Sequence, residues 1–498
     1  MRRIFSNPVT ALVAGGCLRF FFVLHYPAGS GDTVLYEQIA TNWLRRHVYA
    51  MDIGGVLTPV DTRVPGYPAF LAVMYWLSGK TGADARLWVM SAQVFMDLLT
   101  CLVIAAIGAV LVSLGFEKPR PRRAFSVALW MAVLCPFTAN YVAVILTETW
   151  ATFFTALALL LLCLLLLRFR GSIFSVDEFK LDLHVKAEWL AAFAGLAAGL
   201  GTLFRPETPL LLIASGLVLG WYLLRARGWL KLFRIGACMF AGCILPLLPW
   251  AVRNQITLHK IQFLSPKNSN LPGELIPYGF MAWEKTWLYR VRYSYLVTWK
   301  LNDEAIEVED IPPSAFDSAA EKAQVTEVLA SYNQDINLTE EQDAVFGKLA
   351  SERTARHPLR TYVWIPAARA LTVWLTPRIE LLPFSGKVFP LSEAWEEDPV
   401  DQSFTAGFVA LNVIYLLLAA WGAWRLWPQS GARTAVALLV GFVLLRTAFL
   451  TTIEAPEPRY TLVCFPVLLA LAAQIFAGKD SNKKADVTPA AKEIPGPA

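Results

Sequence analysis

Long apolar stretches recur along the chain at lengths that suit membrane-spanning helices. A spanning helix needs about 20 mostly apolar residues. Ten stretches approach this length, and they lie near residues 7–24, 87–113, 124–140, 142–167, 189–204, 207–224, 232–250, 405–424, 433–450 and 459–477. The pattern predicts an all-α polytopic membrane protein with ten spans.

The placement of Lys and Arg between these stretches predicts their orientation. Basic clusters fall at 118–123, 168–186 and 225–234, whereas the segments 138–146 and 451–458 carry no Lys or Arg. Short basic loops stay on the cytoplasmic side of a membrane. Ten spans therefore place both chain termini in the cytoplasm and the alternate loops outside the inner (plasma) membrane.

Two further apolar segments, 65–79 and 361–376, are shorter than a span. We expect them to be juxtamembrane helices on the outer leaflet; if either one spans, the total rises to 11 or 12. The predicted organisation is an N-terminal transmembrane module at 1–250 with a first outer loop at 25–87, a large second outer loop region at 251–404, C-terminal transmembrane helices at 405–478 and a disordered cytoplasmic tail at 479–498.

The amino-acid composition excludes several classes of protein. Of the 498 residues, 56% are hydrophobic and 17% charged, which is unlike an ordinary cytosolic enzyme. The net charge of +5 provides no basic field of the kind that binds nucleic acid. All seven cysteines lie in the apolar stretches, which excludes a zinc cluster with CxxC spacing. We expect no metal and no cofactor.

Charged residues at the predicted outer ends of the spans are candidates for chemistry, because charge near a membrane is costly. Asp32 can cap a helix over residues 33–46 or act as an ionised general base. Glu148 either pairs with an arginine of a neighbouring helix or lines a polar cavity. Arg63 either lies among lipid headgroups or binds a phosphate group.

Two more arginines, Arg205 and Arg459, fall on the same predicted face. Arg205 is the only basic residue of its short outer turn, and Arg459 follows Glu457 at the mouth of the last span. Arginines suit an anionic head group, whereas carboxylates suit a hydroxyl or amine. The set predicts a site for an amphiphile with an anionic head.

Several motifs containing these residues occur in a characteristic order. They are Gly31-Asp32-Thr33 with Tyr36, Arg63-Val-Pro-Gly-Tyr67-Pro, Thr147-Glu148, Phe204-Arg205-Pro206, Pro249-Trp250-Ala-Val-Arg253-Asn254 and Glu457-Pro-Arg459-Tyr460. In order and topology they resemble the GT-C superfamily of integral-membrane glycosyltransferases. The most similar branch is the bacterial one that is close to protein O-mannosyltransferases and to the lipid A aminoarabinose transferase. The resemblance covers roughly residues 8–255 and 405–477.

The resemblance implies a GT-C-like helical bundle and an inverting glycosyltransferase. Such enzymes move a sugar from a polyprenyl-phosphate carrier to a lipid, glycan or protein acceptor at the outer face of the membrane. Asp32 matches the family's catalytic base, and Glu148 matches a second acid of the same cavity. The implied binders of the carrier phosphate are Arg63, Arg205, Arg459 and Tyr460, and the implied supporting residues are Tyr36, Glu37, Tyr67 and Glu457.

Departures from the family pattern limit what the resemblance implies. Many relatives carry two adjacent acids in the first outer loop, whereas Asp32 stands between Gly31 and Thr33. A metal site of the oligosaccharyltransferase kind is therefore not expected. The aminoarabinose-transferase branch has Lys in the place of Arg63, so lipid A is not implied as the acceptor. The sugar, the acceptor and the number of phosphates on the carrier stay open.

Two other classes of protein remain as alternatives. A transporter or lipid flippase typically shows inverted repeats and charges near the middle of the bilayer. Here the candidate charges lie at one face, and one large outer loop breaks any symmetry. A membrane scaffold whose acidic outer loop binds a partner is the other alternative.

Overall fold

The computed structural model describes residues 7–116, 119–170, 174–176, 179–181, 185–268, 271, 273–384, 386, 391–455 and 457–477. The predicted tail at 479–498 and Lys118 of the first basic cluster lie outside the described residues. The described chain is largely helical, which confirms the predicted all-α class. Its strands form two antiparallel hairpins, β1 (Ala50–Ile53) with β2 (Val56–Pro59) and β3 (Phe174–Val176) with β4 (Phe179–Leu181).

The helices fall into an N-terminal set, a set within the region predicted to be the second outer loop, which we call the outer set, and a C-terminal set. The first contains α1 (Pro8–His25), α2 (Gly31–Arg46), α3 (Gly66–Ser78), α4 (Arg86–Gly115), α5 (Pro121–Val133), α6 (Pro136–Ala139), α7 (Glu148–Phe169), α8 (Ala187–Thr202), α9 (Leu210–Arg225), α10 (Trp229–Ile244) and α11 (Leu248–Leu258). The second contains α12 (Tyr278–Lys285), α13 (Val291–Leu296), α14 (Ala319–Asp335), α15 (Glu340–Arg356) and α16 (Ile365–Leu375). The third contains α17 (Leu391–Glu397), α18 (Pro399–Leu426), α19 (Arg433–Thr452), α20 (Phe465–Ala472) and α21 (Gln474–Ala477).

Seven segments of the described chain are long and apolar enough to cross a membrane, so the chain is a multi-pass membrane protein. They are Pro8–His25, Gly82–Gly115, Glu148–Phe169, Trp229–Leu258, Pro399–Leu426, Arg433–Thr452 and Pro458–Phe476. An eighth apolar stretch is broken by a 53° bend between Pro121–Val133 and Pro136–Ala143. The other two predicted spans correspond to α8 and α9, which have 16 residues each.

The two short apolar segments of the sequence are helical as well. Residues 65–79 contain the 13-residue α3, and residues 361–376 contain the 11-residue α16. Both are shorter than the candidate spans. Their location on the outer leaflet stays a prediction.

Glycines let the membrane helices approach at main-chain distance. A Cβ atom on Gly195 of α8 would lie 1.9 Å from the carbonyl oxygen of Met239 in α10, and one on Gly242 of α10 would lie 2.1 Å from that of Ala192. Such contact excludes any side chain at either glycine. α8 and α10 therefore form a closely packed pair, and α11 continues from the C-terminal end of α10.

The outer set of helices has a hydrophobic core of its own. Phe280, Trp283, Trp287 and Phe346 pack together with ring centroids 5.0–5.8 Å apart. α15 begins with a capping box at Thr339. Separately, a small cluster of Ile39, Tyr49, Met51, Val60 and Trp250 lies under the β1–β2 hairpin.

One glycine joins the loop that precedes α3 to the turn that follows α8. The N–H of Gly66 donates to the carbonyl oxygen of Leu203 over 2.7 Å. A Cβ atom on Gly66 would lie only 2.4 Å from the same oxygen. Two segments that are distant in sequence are thereby held together by main-chain atoms alone.

We expect Gly66→Ala to force these segments apart and to lower the free energy of unfolding by about 1–3 kcal/mol, as overpacking does. Gly216→Ala is the matched control, because a Cβ atom there meets nothing within 4 Å. Thermal unfolding in detergent measures both variants. Equal melting temperatures for Gly66→Ala and the wild type would contradict the prediction.

Candidate active site

The charged residues singled out from the sequence converge on one cleft. Its volume is about 970 Å³, and its walls come from the start of α2, the loop before α3, the start of α7, the α8–α9 turn, the segment after α11 and the chain around the end of α19. It is lined by the predicted residues Asp32, Tyr36, Arg63, Glu148, Arg205, Arg459 and Tyr460.

Asp32 is not the cap of its helix, as one interpretation of the sequence had it. α2 begins at Gly31 with Ser30 as the N-cap, and the N–H of Ser30 donates to Oγ1 of Thr33 over 3.1 Å. This Ser–Thr capping box takes over the role expected of Asp32. The carboxylate of Asp32, in the first turn, is left to face the cleft.

Two arginines hold the carboxylate of Asp32. Nη2 of Arg63 donates to Oδ1 over 2.7 Å, and Nη2 of Arg459 donates to Oδ2 over 3.3 Å. Burial alone would raise the pKa of Asp32, but the two guanidinium groups outweigh it and hold the pKa below its usual range. In the substrate-free cleft Asp32 is therefore ionised and a weak base.

Glu148 is the first residue of α7 and is 3% exposed. Its Oε1 accepts a hydrogen bond from Nη1 of Arg205 over 2.7 Å, whereas its Oε2 has no hydrogen-bond partner among the residues that the structure describes. Both interpretations of the sequence therefore hold: the carboxylate pairs with an arginine from a neighbouring segment and also lines the cavity.

Two charged residues behind Arg205 were missed by the sequence analysis. Oε1 of Glu207 accepts from Nε of Arg205 and from Nη2 of Arg446, each over 2.9 Å. Burial would raise the pKa of Glu207, but Arg205 and Arg446 together hold it well below the ordinary value. Arg446 is the single charged residue of the apolar stretch 434–450, and a charge in such a stretch was the signal that could have found it.

Arg459 is held from its other side by Glu457, which does not line the cleft. Nη2 of Arg459 donates to Oε1 of Glu457 over 2.8 Å, and the hydroxyl of Tyr460 donates to the same oxygen over 2.6 Å. Burial raises the pKa of Glu457, and the charge of Arg459 opposes this rise. Glu457 thus supports Arg459 from outside the cavity.

The other two predicted supporting residues lie away from the cavity lining. Glu37 forms an ion pair with Arg86 over 2.9 Å. The hydroxyl of Tyr67 donates to Oε1 of Gln93 over 2.8 Å, and its ring packs edge-on against Tyr36 at 5.1 Å. Tyr67 therefore supports Tyr36, whereas Glu37 braces α2 against α4.

Charges around the cleft nearly balance. The carboxylates Asp32, Glu148, Glu207 and Glu457 face the guanidinium groups of Arg63, Arg205, Arg446 and Arg459. At the rim, Lys285 pairs with Glu454 over 2.6 Å, and the exposed Lys267 adds one further cation. The cleft with its supporting residues carries one more cation than anions, which favours an anionic ligand.

One wall of the cleft is apolar. Leu210 and Ile213 of α9 lie on this wall, together with Phe449 and Leu450 of α19. Ile213 is 53% exposed and so continues the wall onto the outer surface of its helix. Arginines beside such a wall suit an amphiphile that has an anionic head and an apolar chain.

Comparison with known proteins gives only distant neighbours. No protein-family model and no curated protein matches the chain. The archaeal oligosaccharyltransferase AglB from Archaeoglobus fulgidus, in complex with an inhibitory peptide and a dolichol-phosphate, is 14% identical over 93% of this chain and 50% of its own, with a TM-score of 0.47. ArnT from Cupriavidus metallidurans, bound to undecaprenyl phosphate, is 11% identical over 94% of this chain and 77% of its own, with a TM-score of 0.35.

Both neighbours are glycosyltransferases of the GT-C superfamily, which is the superfamily that the motifs of the sequence resemble. This chain spans about half the length of the oligosaccharyltransferase. At TM-scores below 0.5 the likeness extends neither to the reaction of this chain nor to its substrates. The reaction and the substrates of this chain must therefore be inferred from the residues of the cleft.

We expect Asp32→Asn to lower the melting temperature at neutral pH, because Arg63 and Arg459 lose a carboxylate partner. The difference in melting temperature between Asp32→Asn and the wild type should stay constant above about pH 5, where Asp32 is ionised in the folded and the unfolded protein alike. It should shrink below about pH 4, as the wild-type carboxylate takes up its proton.

Thermal unfolding in detergent across this pH range tests the expectation. Asp52→Asn is the control, because Asp52 pairs over 3.0 Å with an exposed arginine, Arg46, and such pairs contribute little stability. A deficit of Asp32→Asn that widens on acidification would show that the carboxylate is not held ionised by the arginines.

Proposed function

We propose that the chain is an inverting glycosyltransferase that moves a sugar from a polyprenyl-phosphate carrier to an acceptor at the outer face of the plasma membrane. The observation that supports this most directly is the cleft itself. Three arginines converge there on two carboxylates beside an apolar wall. The chain would have both termini in the cytoplasm, and the acceptor would be a lipid, a glycan or a protein.

In this proposal the arginines bind the phosphate of the carrier. An oxygen of the acceptor attacks the anomeric carbon of the sugar while the bond from that carbon to the phosphate oxygen breaks. The electron pair of that bond leaves with the prenyl phosphate. Arg63, Arg205 and Arg459 stabilise the negative charge that grows on the leaving group, because they are directed into the cleft beforehand.

Asp32 takes the proton of the acceptor. Its low pKa makes it a poor base as long as Arg63 and Arg459 hold it. A bound phosphate competes for the same two guanidinium groups and so weakens their hold on the carboxylate. Donor binding thereby raises the basicity of Asp32 at the moment when a base is needed.

Glu148 has a different position in the proposed mechanism. Its Oε1 fixes Arg205, and its Oε2 is an acceptor without a partner at the wall of the cleft. We assign it the orientation of Arg205 and, once substrate is bound, a hydrogen bond to a hydroxyl group of the sugar or acceptor. Tyr460, whose ring lies 4.6 Å from the guanidinium carbon of Arg205, keeps that arginine in place.

Purified protein in nanodiscs that contain a radiolabelled polyprenyl-phosphate sugar tests the reaction. Free polyprenyl phosphate and a labelled acceptor from an envelope extract are the expected products. A transporter or flippase would move the intact donor across a vesicle membrane without cleaving it. A scaffold would do neither, so either of these outcomes would exclude the proposed reaction.

Asp32→Asn should reduce turnover by about 10²–10⁴-fold, which is the usual contribution of a general base. The variant keeps the size of the side chain and can still accept hydrogen bonds from the arginines. The release of polyprenyl phosphate measures the loss. Asp52→Asn again serves as the control, and full turnover by Asp32→Asn would rule out a base at this position.

Arg63→Ala should raise the donor KM about 10- to 100-fold, since hydrogen bonds to a charged group contribute about 1.5–3 kcal/mol each. Arg46→Ala is its matched control, because Arg46 also pairs with an aspartate but lies outside the cleft lining. An unchanged donor KM in Arg63→Ala would remove this residue from the phosphate site.

A further inference from the structure

Arg253, at the outer end of the membrane helices, reaches over to the first outer loop. Its Nη2 donates to the carbonyl oxygen of Tyr49 over 2.6 Å, and its Nη1 donates to that of Val60 over 2.9 Å. Tyr49 and Val60 stand immediately before and after the β1–β2 hairpin. One guanidinium group therefore closes the base of the hairpin.

The hairpin base leads directly to the cleft. The hydroxyl of Tyr49 donates to the carbonyl oxygen of Arg63 over 2.8 Å. Nη2 of Arg63 in turn donates to Oδ1 of Asp32 over 2.7 Å. Arg253 and Tyr49 do not line the cleft, but two successive contacts connect Arg253 to an arginine that does.

The surroundings of Arg253 favour this one geometry. Its guanidinium carbon lies 5.1 Å from the ring centroids of both Tyr49 and Trp250, so the planar group is held among aromatic side chains. Its acceptors among the described residues are neutral oxygens, namely two main-chain carbonyls and Oδ1 of Asn254. An arginine is tolerated in such a place when it satisfies fixed acceptors with its rigid fork, which a lysine cannot reproduce.

The Arg253 helix is itself fixed to the membrane core. α11 continues from α10 through a short 3-10 turn at Leu245–Leu247, and α10 packs against α8 at the glycine contacts described above. The loop that carries Arg63 is held by the hairpin cluster, by Nδ2 of Asn42, which donates to the carbonyl oxygen of Ala50 over 3.1 Å, and by the adjacent Gly66. The hydroxyl of Tyr49 adds a contact to the main chain of Arg63 itself. A binding group on a loop must be held by neighbouring contacts if it is to keep the position that a binding site requires.

We propose that Arg253 and Tyr49 form a positioning clamp that fixes the main chain at Arg63 and thereby sets the affinity of the cleft for the carrier phosphate. This inference rests on the proposed function only in assigning a phosphate to Arg63. Neither clamp residue touches the substrate. Both act through the position of Arg63.

Donor kinetics and binding of undecaprenyl phosphate to the full chain in nanodiscs test the clamp. Tyr49→Phe removes one hydrogen bond and should raise the donor KM about 2- to 10-fold with kcat nearly unchanged. Arg253→Met should give at least the same rise, and Arg253→Lys should not restore the wild-type value. The double variant Tyr49→Phe/Arg253→Met should be no worse than Arg253→Met alone, because both residues act on one contact.

Tyr332→Phe is the matched control. Tyr332 is a buried tyrosine of the outer helices whose hydroxyl also donates to main-chain carbonyls, those of Lys300 and Glu304. Its replacement costs similar packing and hydrogen bonding but should leave the donor KM unchanged. Equal effects of Tyr49→Phe and Tyr332→Phe, full rescue by Arg253→Lys, or additive effects in the double variant would overturn the clamp.

A structural readout separates the clamp from the reaction. Hydrogen–deuterium exchange of residues 60–66 should become faster in Tyr49→Phe and stay unchanged in Tyr332→Phe, whether or not the protein turns over a donor. This measurement also decides the matter if Arg253→Met fails to fold. Normal binding of undecaprenyl phosphate by Arg63→Ala would rule out the phosphate site. Normal binding by Tyr49→Phe, together with weakened binding by Arg63→Ala, would rule out the clamp alone.

Discussion

The pairing of carboxylates with guanidinium groups is the constraint on which the structure of the cleft depends. Asp32, Glu148, Glu207 and Glu457 are each bound by at least one arginine, and none of the four is fully in water. Charges withdrawn from solvent are tolerated only when opposite charges replace the lost hydration. Since the partners come from distant parts of the chain, satisfying them fixes the relative positions of the loop before α3, the α8–α9 turn and the last span.

The ion pairs of the cleft satisfy each of its arginines and can also exchange partners. Arg63, Arg205 and Arg459 each have an acidic partner, and these pairs hold the site in shape. In the proposed reaction, a phosphate that enters takes over donors from Asp32 and leaves that carboxylate more basic. Preorganised charge of this kind would lower the barrier, because the groups need not reorient as the reaction proceeds. The main-chain contact at Gly66 and the clamp at Arg253 restrict how far Arg63 can move during the exchange.

Most of the candidate spans and most of the charged residues that line the cleft could be predicted from the sequence, because both follow from the cost of placing polar groups in a membrane. A lone Glu148 or Arg205 between apolar stretches stands out for that reason. The interpretation of Asp32 as a helix cap was wrong, since a sequence cannot show which of Ser30 and Asp32 occupies the N-cap position of α2. Glu207 and the partner choice of Arg446 depend on how α9 and α19 pack, which no local pattern reveals. The contact between Tyr49 and Arg63 is equally invisible, because it joins a hydroxyl group to a main-chain carbonyl and neither group carries a charge.

The separate aromatic core of the outer helices has a consequence for how such a chain can diversify. Phe280, Trp283, Trp287 and Phe346 hold that region together without using any residue of the arginine cleft. Substitutions on the surface of this region can therefore accumulate without altering the carboxylates and arginines that form the cleft. Such a separation lets the exposed face of these helices change over generations while the charged cleft keeps its residues.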